Sequence, residues 1–281
     1  MTDAPKKPDS RFTTISVVMS VYKNDRGEWF RMAIDSILRQ SLKSDDIIIV
    51  RDGLVSDEIN EILSDYELNP SVTVIRLENN VGAGEARNIG IRIARNELVA
   101  IMDADDISVP NRLELQLSEF KNNPHLSIVG GQMAEFEGSL QNVVSYRNVP
   151  LNHTDILMFS KRRSPFNNMC VCFVKSHILA VGGYNNATRA EDYNLWLALL
   201  STGRKASNLS DTLCYVRIND AALSRRTTFE QTFELLKMRY RYFKCRYISF
   251  SDFALVSILN IGMLILPAVL IKLVYKKALR A

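Results

Sequence analysis

The feature that most constrains the fold of this chain is an alternation of two hydrophobic periodicities over its first half. Short apolar, β-branched runs typical of buried strands alternate with stretches whose apolar side chains recur every three or four residues, as in amphipathic helices. The predicted strands are 14–21, 47–50, 72–77 and 98–102. The predicted helices are 28–39 and 84–95, together with a helix capped by Ser56 and a helix opened by Pro110. We therefore expect an α/β fold with a mainly parallel sheet and helices on both faces.

Beyond residue 125 the pattern is less regular. Short strands are predicted at 128–130 and 169–174, and helices at 190–200 and 229–246. In an open sheet of βαβ units, ligands bind beyond the carboxyl ends of the strands. The residues that directly follow each strand are therefore the first candidates for function.

Two local features refine this outline. Asp25 and Glu28 have the spacing of a capping box at the start of the first helix. Cys170 and Cys172 fall on a predicted strand, where alternate side chains share one face. With four irregularly spaced cysteines and only three histidines, packed, reduced thiols are favoured over a zinc site.

Composition limits the classes of function. Apolar residues make up 47% of the 281 residues, which is enough to form a core, so extensive disorder is excluded. The formal net charge is only +4, which gives no reason to expect a nucleic-acid partner. The charge is concentrated at the end of the chain, where residues 225–281 contain eleven Lys or Arg and three acids. A basic end beside apolar residues favours an anionic membrane surface as a partner.

The strongest candidate site is an acidic cluster directly after the fourth predicted strand. Asp103, Asp105 and Asp106 place three carboxylates within four positions, and such charges repel one another unless a cation neutralises them. Mg²⁺ and Mn²⁺ prefer carboxylate oxygens and leave coordination positions open for phosphate. The alternative is a solvated turn whose aspartates cap the helix opened by Pro110.

Weaker signals follow the second and third predicted strands. Asp52 precedes Gly53 and is either a ligand for a base N–H or a ribose hydroxyl, or a turn aspartate. Gly82-x-Gly84 precedes a helix, but Arg87 occupies the place of the third glycine of a dinucleotide fingerprint, so that interpretation is rejected. We expect a tight turn that delivers Arg87 to the acidic edge, where it pairs with carboxylate or diphosphate.

A second acidic pair, Glu191 and Asp192, begins a predicted helix. Acids at this position interact favourably with the helix dipole, which is a purely structural role. Alternatively, one of them is a general base that deprotonates an acceptor hydroxyl. Spacing alone leaves both interpretations open.

Taken together, these motifs resemble family-two glycosyltransferases of the GT-A fold. The resemblance extends from about residue 14 to about residue 226, and five motifs in this order are far more specific than any one alone. The motifs are Ser16–Tyr22, Asp52–Gly53, Asn80-x-Gly82 with Ala86–Asn88, Met102–Asp106, and Glu191–Asp192 with Trp196. Within the family, the chain is most similar to bacterial amylovoran-type exopolysaccharide and O-antigen transferases, through Lys161–Asn168, Gly182–Tyr184 and Tyr275–Arg280.

The resemblance implies a role for each motif. It implies a Rossmann-like nucleotide-binding sheet and an inverting transfer of one sugar from a nucleotide-sugar, with a UDP-sugar as the expected donor and Mn²⁺ or Mg²⁺ as cofactor. The implied nucleotide-binding residues are Val21, Tyr22, Asp52, Arg87 and Asp103, and the implied metal ligands are Asp105 and Asp103. The implied base is Asp192, with Glu191 supporting the acceptor or sugar. The expected residues on the sugar or acceptor side are Arg163, Asn167, Asn168 and Asp106, with Arg162 as a further candidate. The Gln-x-x-Arg-Trp signature of processive synthases does not follow Asp192, which favours single-sugar transfer.

The expected organisation is a flexible N-terminus at 1–12, a catalytic domain at 13–226 and a helical region at 227–281. Residues 253–275 are long and apolar enough to span a bilayer, but Asn260, Pro267 and Lys272 interrupt them. We therefore expect a helical, membrane-associated tail that lies in the interface. The alternatives are a segment that spans the bilayer and a helix buried against the catalytic domain or another subunit. The acceptor is then a lipid-linked glycan in surface polysaccharide synthesis, and the enzyme is peripheral or monotopic at the cytoplasmic face of the inner membrane.

Two other functions compete with this one. A sugar nucleotidylyltransferase would share the sheet and the metal carboxylates, but it needs a Gly-rich, basic phosphate loop where this chain has Val21–Asp25. A catalytically silent sugar-nucleotide-binding protein of the same fold is the second alternative, and the intact acids at positions 52, 103, 105 and 192 argue against it.

Overall fold

The computed structural model describes residues 12–185, 190–218 and 229–265. Its strands are β1 Ile15–Val21, β2 Ile47–Arg51, β3 Val72–Arg76, β4 Leu98–Asp103, β5 Ile107–Ser108, β6 Leu126–Phe136, β7 Val143–Arg147, β8 Cys172–Val174 and β9 Lys205–Arg217. Its helices are α1 Gly27–Leu38, α2 Asp57–Glu67, α3 Ala83–Ile93, α4 Arg112–Asn122, α5 His153–Ser160, α6 Lys175–Ala180, α7 Glu191–Ser201, α8 Phe229–Lys244 and α9 Phe250–Ile265. The strand–helix alternation predicted for the first half is confirmed.

Local details differ from the predictions at three points. The capping box at α1 is wrong, because the Asp25 carboxylate accepts the Tyr22 backbone N–H at 2.9 Å, and the cap residue of α1 is Arg26. Helix α4 begins at Arg112, two residues after Pro110. Cys170 lies in a single 3₁₀ turn, Asn168–Cys170, and only Cys172 is on a strand.

The strands form one mixed sheet in the order β3-β2-β1-β4-β8-β6-β9-β5, with β7 added beside β6. The first four strands are mutually parallel, as the βαβ pattern predicts. Strand β8 then pairs antiparallel with both β4 and β6, so the parallel arrangement is interrupted in the second half. The carboxyl ends of β1, β2 and β4 consequently lie together at one edge, where the acidic motifs were predicted to meet.

Both faces of the central strands are buried. On β1, Val17 and Met19 pack into one hydrophobic cluster, while Val18 packs into a second cluster on the opposite face. Burial on both faces explains why these strands are continuous apolar runs and do not alternate with polar residues. The second cluster contains Trp196 of α7, which is completely buried, so the helix that begins with the acidic pair is anchored in the core.

The C-terminal helices pack on α7. Tyr193 and Leu197 of α7 share a small hydrophobic cluster with Met238 and Tyr242 of α8 and with Ile248. Part of the predicted membrane-associated tail, including Pro267, Lys272 and the motif at 275–280, lies outside the described residues. Among the residues that are described, no helix combines the length and apolar character required to cross a bilayer.

Candidate active site

A pocket of about 190 Å³ lies at the carboxyl ends of β1 and β2. It is lined by Ser20, Val21, Tyr22, Asp52, Asn80, Gly82 and Ala83. Three of the residues predicted to bind the nucleotide, Val21, Tyr22 and Asp52, are therefore brought together in one pocket. The loop before α3 closes its other side, so the pocket joins motifs that are about 60 residues apart in sequence.

Asp52 holds this loop in place. Its carboxylate accepts the backbone N–H of Val81 at 2.6 Å, the N–H of Gly82 at 3.0 Å and the Asn80 side-chain amide at 2.9 Å. A carboxylate offers about four acceptor positions, so three are used and one is left for a ligand. Asp52 is 3% exposed, which fits a residue that shapes the pocket as well as lining it.

Gly53 permits this close approach of the two loops. Its φ of 82° lies in the left-handed region, and a Cβ there would come within 2.7 Å of the Asn80 backbone nitrogen. Only glycine meets both conditions without moving the loop. The Asp52-Gly53 pair is thus a turn and a pocket wall at the same time.

Arg87 links two predicted motifs. Its guanidinium lies 2.8 Å from the Asp103 carboxylate and 3.4 Å from that of Glu191, and it is stacked over the Tyr184 ring at 5.5 Å. Burial disfavours the charged guanidinium, but the charges of Asp103 and the neighbouring groups outweigh it and raise the pKa of Arg87. The prediction that the turn before α3 delivers Arg87 to the acidic edge is confirmed, with carboxylates as its partners.

In the acidic cluster at the end of β4, burial and neighbouring charges disfavour the charged forms of two carboxyl groups. Burial and the neighbouring Asp103 raise the pKa of Asp105 to about 6. Burial, followed by the charges of Asp105 and Asp103, raises the pKa of Asp106 well above its usual value, and Asp106 also accepts the backbone N–H of Arg217 at 3.1 Å. Asp106 is therefore tied to β9 and is 2% exposed, so it lies below the surface that a sugar could reach.

A fourth carboxylate, Asp25, faces this cluster and was not identified from the sequence. Burial raises its pKa to about 7, with smaller contributions from the charges of Asp105 and Asp103. The sequence assigned Asp25 to a helix cap because its spacing to Glu28 is a local signal, whereas its approach to β4 is a tertiary contact. No local pattern could have revealed it.

The donor set suits a divalent cation. Burial is the main cause that raises the pKa values of Asp25, Asp105 and Asp106, and the charges of neighbouring carboxylates raise them further. Carboxylate oxygens of this kind bind Mg²⁺ or Mn²⁺. Within the described ranges, no group of three or more His, Cys, Asp or Glu side chains is arranged to hold a metal ion. Two carboxylates are nevertheless sufficient where substrate phosphates and water supply the other ligands.

Glu191 and Asp192 occupy the first turn of α7. Burial raises the pKa of Asp192, and burial together with the charge of Asp192 raises the pKa of Glu191. Glu191 is paired with Arg87, and the Asp192 carboxylate accepts the Tyr193 backbone N–H at 2.7 Å. The positive charges of Arg147 and Arg87 offset part of the effect of burial on the pKa of Asp192, and a buried carboxylate whose pKa remains raised is suited to accept a proton.

A buried network supports this helix from behind. The Tyr193 hydroxyl donates to the Ser160 carbonyl at 2.6 Å and accepts from Arg239 of α8 at 2.9 Å. Arg239, which is completely buried, also donates to the carbonyls of Lys161 at 2.6 Å and Asp252 at 3.1 Å. Sequence reasoning missed Arg239, because in a basic helix it resembles its exposed neighbours.

Tyr184 and Asn88 connect α3 to the segment before α7. The Asn88 side chain donates to the Tyr184 carbonyl at 2.7 Å and accepts the Tyr184 N–H at 2.8 Å. Gly183 has a φ of 68°, and a Cβ there would lie 2.4 Å from the Asn88 Oδ1. The Gly182–Tyr184 motif is therefore a structural joint that positions the Tyr184 ring against Arg87.

The predicted sugar-side residues have different locations. Asn167 is completely buried and donates to the carbonyl of Gly131 at 2.9 Å, so it belongs to the framework. Asn168 accepts from the Tyr184 hydroxyl at 2.8 Å, close to the Arg87 stack. Arg162 pairs with Asp252 at 2.6 Å, which attaches α9 to the end of α5. Arg163 is half-buried beside Phe159, with its guanidinium 6.0 Å from the ring centre.

Comparison with known proteins finds similarity over the region that contains most of these residues. The sequence model of Glycosyl transferase family 2 matches residues 16–182, which include the pocket, Arg87 and the acidic cluster. The UDP-Gal:alpha-D-GlcNAc-diphosphoundecaprenol beta-1,3-galactosyltransferase of Escherichia coli is 33% identical over 94% of this chain and 96% of its own. The amylovoran biosynthesis glycosyltransferase AmsE of Erwinia amylovora is 33% identical over 75% of this chain and 79% of its own.

Among solved structures, the mannosyltransferase PcManGT of Pyrobaculum calidifontis, in complex with GDP-Man and Mn²⁺, has a TM-score of 0.65. The match covers 84% of this chain and 66% of that one, at 17% identity, so it concerns the fold alone. The expected GT-A-like α/β fold is confirmed, and the chain is a glycosyltransferase. Because the family match extends over more than half of its length, the chain belongs to glycosyl transferase family 2.

Proposed function

We propose that this enzyme inverts the anomeric centre as it moves one sugar from a UDP-sugar to a saccharide carried on a lipid diphosphate. The observation that carries the proposal is the position of Arg87, which joins Asp103 at the nucleotide end to Glu191 beside Asp192. The proposed donor-side carboxylate Asp103 and Glu191, the chain neighbour of the candidate base, are thereby held by one guanidinium. The E. coli and Erwinia relatives support a role in bacterial surface polysaccharide synthesis, and the former is named for a diphosphoundecaprenol acceptor.

The donor would bind across the carboxyl ends of β1, β2 and β4. In this proposal Val21 and Tyr22 frame the uracil, and the remaining acceptor position of Asp52 receives a base N–H. Asp103 and Asp105 would hold Mn²⁺ or Mg²⁺, which when bound neutralises charge that develops on the leaving diphosphate. Arg87 is already engaged by two carboxylates, so we assign it to positioning them and not to gripping the diphosphate.

Asp192 would act as the base. Its carboxylate takes the proton of the acceptor hydroxyl while the acceptor oxygen bonds to the anomeric carbon and the bond from that carbon to the diphosphate oxygen breaks. UDP leaves with the electron pair of the broken bond, and attack from the face opposite the leaving group inverts the anomeric centre. The elevated pKa of Asp192 favours this step, because a stronger base takes a proton more readily.

We also propose that the C-terminal helices bring the active site to the cytoplasmic face of the inner membrane. Helix α9 exposes Phe250, Leu255, Ile258, Leu259 and Ile261, and α8 exposes Phe229 and Phe233. The end of the chain from residue 225 is strongly basic, and the combination of apolar and basic side chains suits an anionic lipid surface. Flotation of the full-length protein with anionic and with neutral vesicles tests this part of the proposal. Absence of the protein from the floating fraction with both kinds of vesicle would contradict it.

The test of transfer uses full-length protein, UDP-sugars and a short-chain polyprenyl diphosphate that carries N-acetylglucosamine. We expect metal-dependent formation of a disaccharide product whose new linkage has the opposite anomeric configuration to the donor, as measured by NMR. A product that retains the donor configuration would contradict the inverting mechanism. Absence of transfer with every UDP-sugar would contradict the choice of donor or acceptor.

A separate binding measurement isolates the donor site. Isothermal titration with UDP, with and without Mn²⁺, should show metal-dependent binding that Asp105→Ala abolishes. Asp65→Asn, which changes an exposed acid of α2, is the matched control and should leave binding unchanged. Binding of UDP that is indifferent to metal in both proteins would overturn the assignment of Asp105.

A further inference from the structure

A second cavity, of about 560 Å³, lies on the α1 side of the acidic cluster. Its walls include Arg26, Glu28, Trp29 and Met32 from the start of α1, Gly138 after β6, and Arg217 at the end of β9. We call it the Trp29 groove. Its volume falls within the range of about 300–1,000 Å³ that is usual for small-molecule sites, and none of the roles proposed above uses it.

Arg217 is held in the Trp29 groove by aromatic rings. Its guanidinium lies 4.7 Å from the centre of the Trp29 ring and 4.6 Å from that of Phe136. Its remaining contacts are long, at 3.5 Å to the Gly138 carbonyl and 3.7 Å to the Met32 sulfur. Its Nε is buried and has no hydrogen-bond partner. This guanidinium is partly desolvated and experiences the charges of Asp105, Asp106 and Glu28, and an anion in the groove would give it a further partner.

A second cation lies on the same tryptophan. The Arg26 guanidinium is 4.5 Å from the centre of the Trp29 ring, and Arg26 is exposed. Among the residues that the structure describes, neither Arg26 nor Arg217 forms a salt bridge. Arg26 and Arg217 outnumber Glu28 among the residues that line the groove, while the charges of Asp105 and Asp106 act on Arg217 from the adjacent acidic cluster. Guanidinium groups are well suited to phosphate because they donate two parallel hydrogen bonds.

The Trp29 groove adjoins the catalytic machinery through Arg217 itself. The Arg217 backbone N–H donates to Asp106 at 3.1 Å, and Asp106 follows Asp105 in the chain. A phosphate-bearing sugar in the groove would therefore lie beside the proposed metal ligands. In a lipid-linked saccharide the diphosphate is bonded directly to a sugar, so a site for this substrate needs cations next to a surface on which a sugar ring can pack. Aromatic side chains supply such a surface because they are apolar and flat.

We propose that the Trp29 groove binds the diphosphate-bearing end of a substrate, with Arg26 and Arg217 on the phosphates and Trp29 against the adjoining sugar. This inference rests on the proposed function for the nature of the substrate. Two substrates of that reaction carry a diphosphate, the donor nucleotide and the lipid-linked acceptor, and both have the chemistry that the groove recognises. The experiment below distinguishes them.

Tryptophan fluorescence gives a direct measurement, because the chain has two tryptophans and Trp196 is completely buried, while Trp29 is partly exposed. Full-length protein is titrated with inorganic pyrophosphate, with UDP plus Mn²⁺, and with the short-chain lipid-diphosphate acceptor. We expect a saturable change of emission that disappears in Trp29→Phe. In Arg217→Met and in Arg26→Met we expect an affinity loss of about tenfold or more, which is the usual consequence of losing a charge-assisted hydrogen bond.

Arg31→Met is the matched control, since Arg31 is an exposed arginine of the same helix that pairs with Asp65 outside the groove. Arg26 is exposed, so Arg26→Met tests the groove even if Arg217→Met fails to fold. A signal produced by UDP plus Mn²⁺ alone assigns the groove to the donor, and a signal produced by the lipid diphosphate in the presence of saturating UDP assigns it to the acceptor. No change in the wild type, or a change that both arginine variants retain in full, overturns the proposal.

The transfer assay separates failure of this inference from failure of the proposed function. If the wild type transfers sugar and Trp29→Phe and Arg26→Met both keep the same KM for donor and acceptor, the groove assignment is wrong and the proposed function stands. If the fluorescence change follows the expected pattern but no transfer occurs, the groove stands and the proposed reaction is wrong.

Discussion

The pocket at the carboxyl ends of β1 and β2, which is the candidate nucleoside pocket, lies at the same edge of the sheet as the candidate base, but the two are built from different parts of the chain. The pocket uses residues from 20 to 83, and Asp52 organises it through hydrogen bonds to the loop about 30 residues later. The base lies on a helix whose support comes from α5, α8 and the start of α9, through Tyr193 and Arg239.

The C-terminal helices therefore support the helix that carries the candidate base, in addition to being a candidate membrane anchor. Asp252, at the start of α9, accepts from Arg162 through its side chain and from Arg239 through its backbone. Truncation before Asp252 would therefore disturb the support of α7 as well as remove an apolar surface. The two ends of the site should respond differently to mutation, and the following predictions test that contrast.

The largest effect is expected from Asp192→Asn, which removes the proposed base without changing its shape. We expect transfer to fall by at least about 100-fold, the lower range for loss of general-base catalysis, while UDP binding is unchanged. Rates come from product formation and binding from calorimetry. Asp211→Asn, at an exposed position of β9, serves as the control, and a fully active Asp192→Asn would remove the residue from its role.

Arg239→Met should break the support of the base while sparing the nucleoside pocket. The substitution leaves buried carbonyls of Lys161 and Asp252 without a donor, at a cost of about 1–3 kcal/mol in the free energy of unfolding. We expect about a tenfold loss of transfer with little change in the affinity for UDP, because α7 is displaced but the pocket is not.

Urea denaturation and UDP titration of the same preparation check this prediction. Arg241→Met changes an exposed arginine of the same helix and should have little effect on either quantity. If Arg239→Met instead weakens UDP binding as strongly as it weakens transfer, the two ends of the site are not independent and the contrast drawn above is wrong.

Asp52→Asn should produce the opposite pattern. An asparagine cannot accept all three of the hydrogen bonds that Asp52 receives, because its amide nitrogen is a donor that would face N–H groups. We expect UDP affinity to fall by about tenfold, while transfer at saturating donor is largely kept. Asp57→Asn, an exposed acid in the first turn of α2, is the control, and a loss confined to the transfer step would contradict the prediction.

The smallest effect concerns stability and pH. Burial raises the pKa of Asp192 in the folded state above its unfolded value, so folding favours the protonated carboxyl. This contribution to stability is fully present below the unfolded pKa and is lost as pH rises through the folded pKa. Asp192→Asn should therefore gain thermal stability over the wild type as pH rises from about 4 to neutrality, by a few degrees in Tm. A difference in Tm between Asp192→Asn and the wild type that stays constant with pH would contradict this explanation.

Much of the catalytic edge could be predicted from the chain alone. The periodicity of the first 120 residues predicts four strands and four helices, and each is present with ends shifted by a few residues at most. Because parallel strands end at one edge, Asp52 and the acids after β4 were expected there, and Arg87 was expected to reach them. Strong local patterns carry this information because burial on one or both faces is recorded in the spacing of apolar residues.

Three residues, one of them in the first half of the chain, show where that information ends. Asn167 was predicted beside the sugar from its motif, but its side chain donates to the Gly131 carbonyl inside the framework. Asp25 was assigned to a helix cap, but it faces the acidic cluster. Cys170 was placed on a strand, but it lies in a 3₁₀ turn. In each case the residue type and its neighbours were compatible with two environments, and only a distant contact selected one.

The sequence by itself determined the α/β fold class, the family and the edge of the sheet at which the candidate site lies, because these depend on periodicity and on short motifs that contain their own signal. Only the tertiary structure decided that Arg87 is shared between Asp103 and Glu191, that Arg239 is buried behind the candidate base, and that Trp29 carries two arginines beside an open groove. The physical reason is that hydrophobic spacing specifies whether a side chain is buried but not which distant partner it meets.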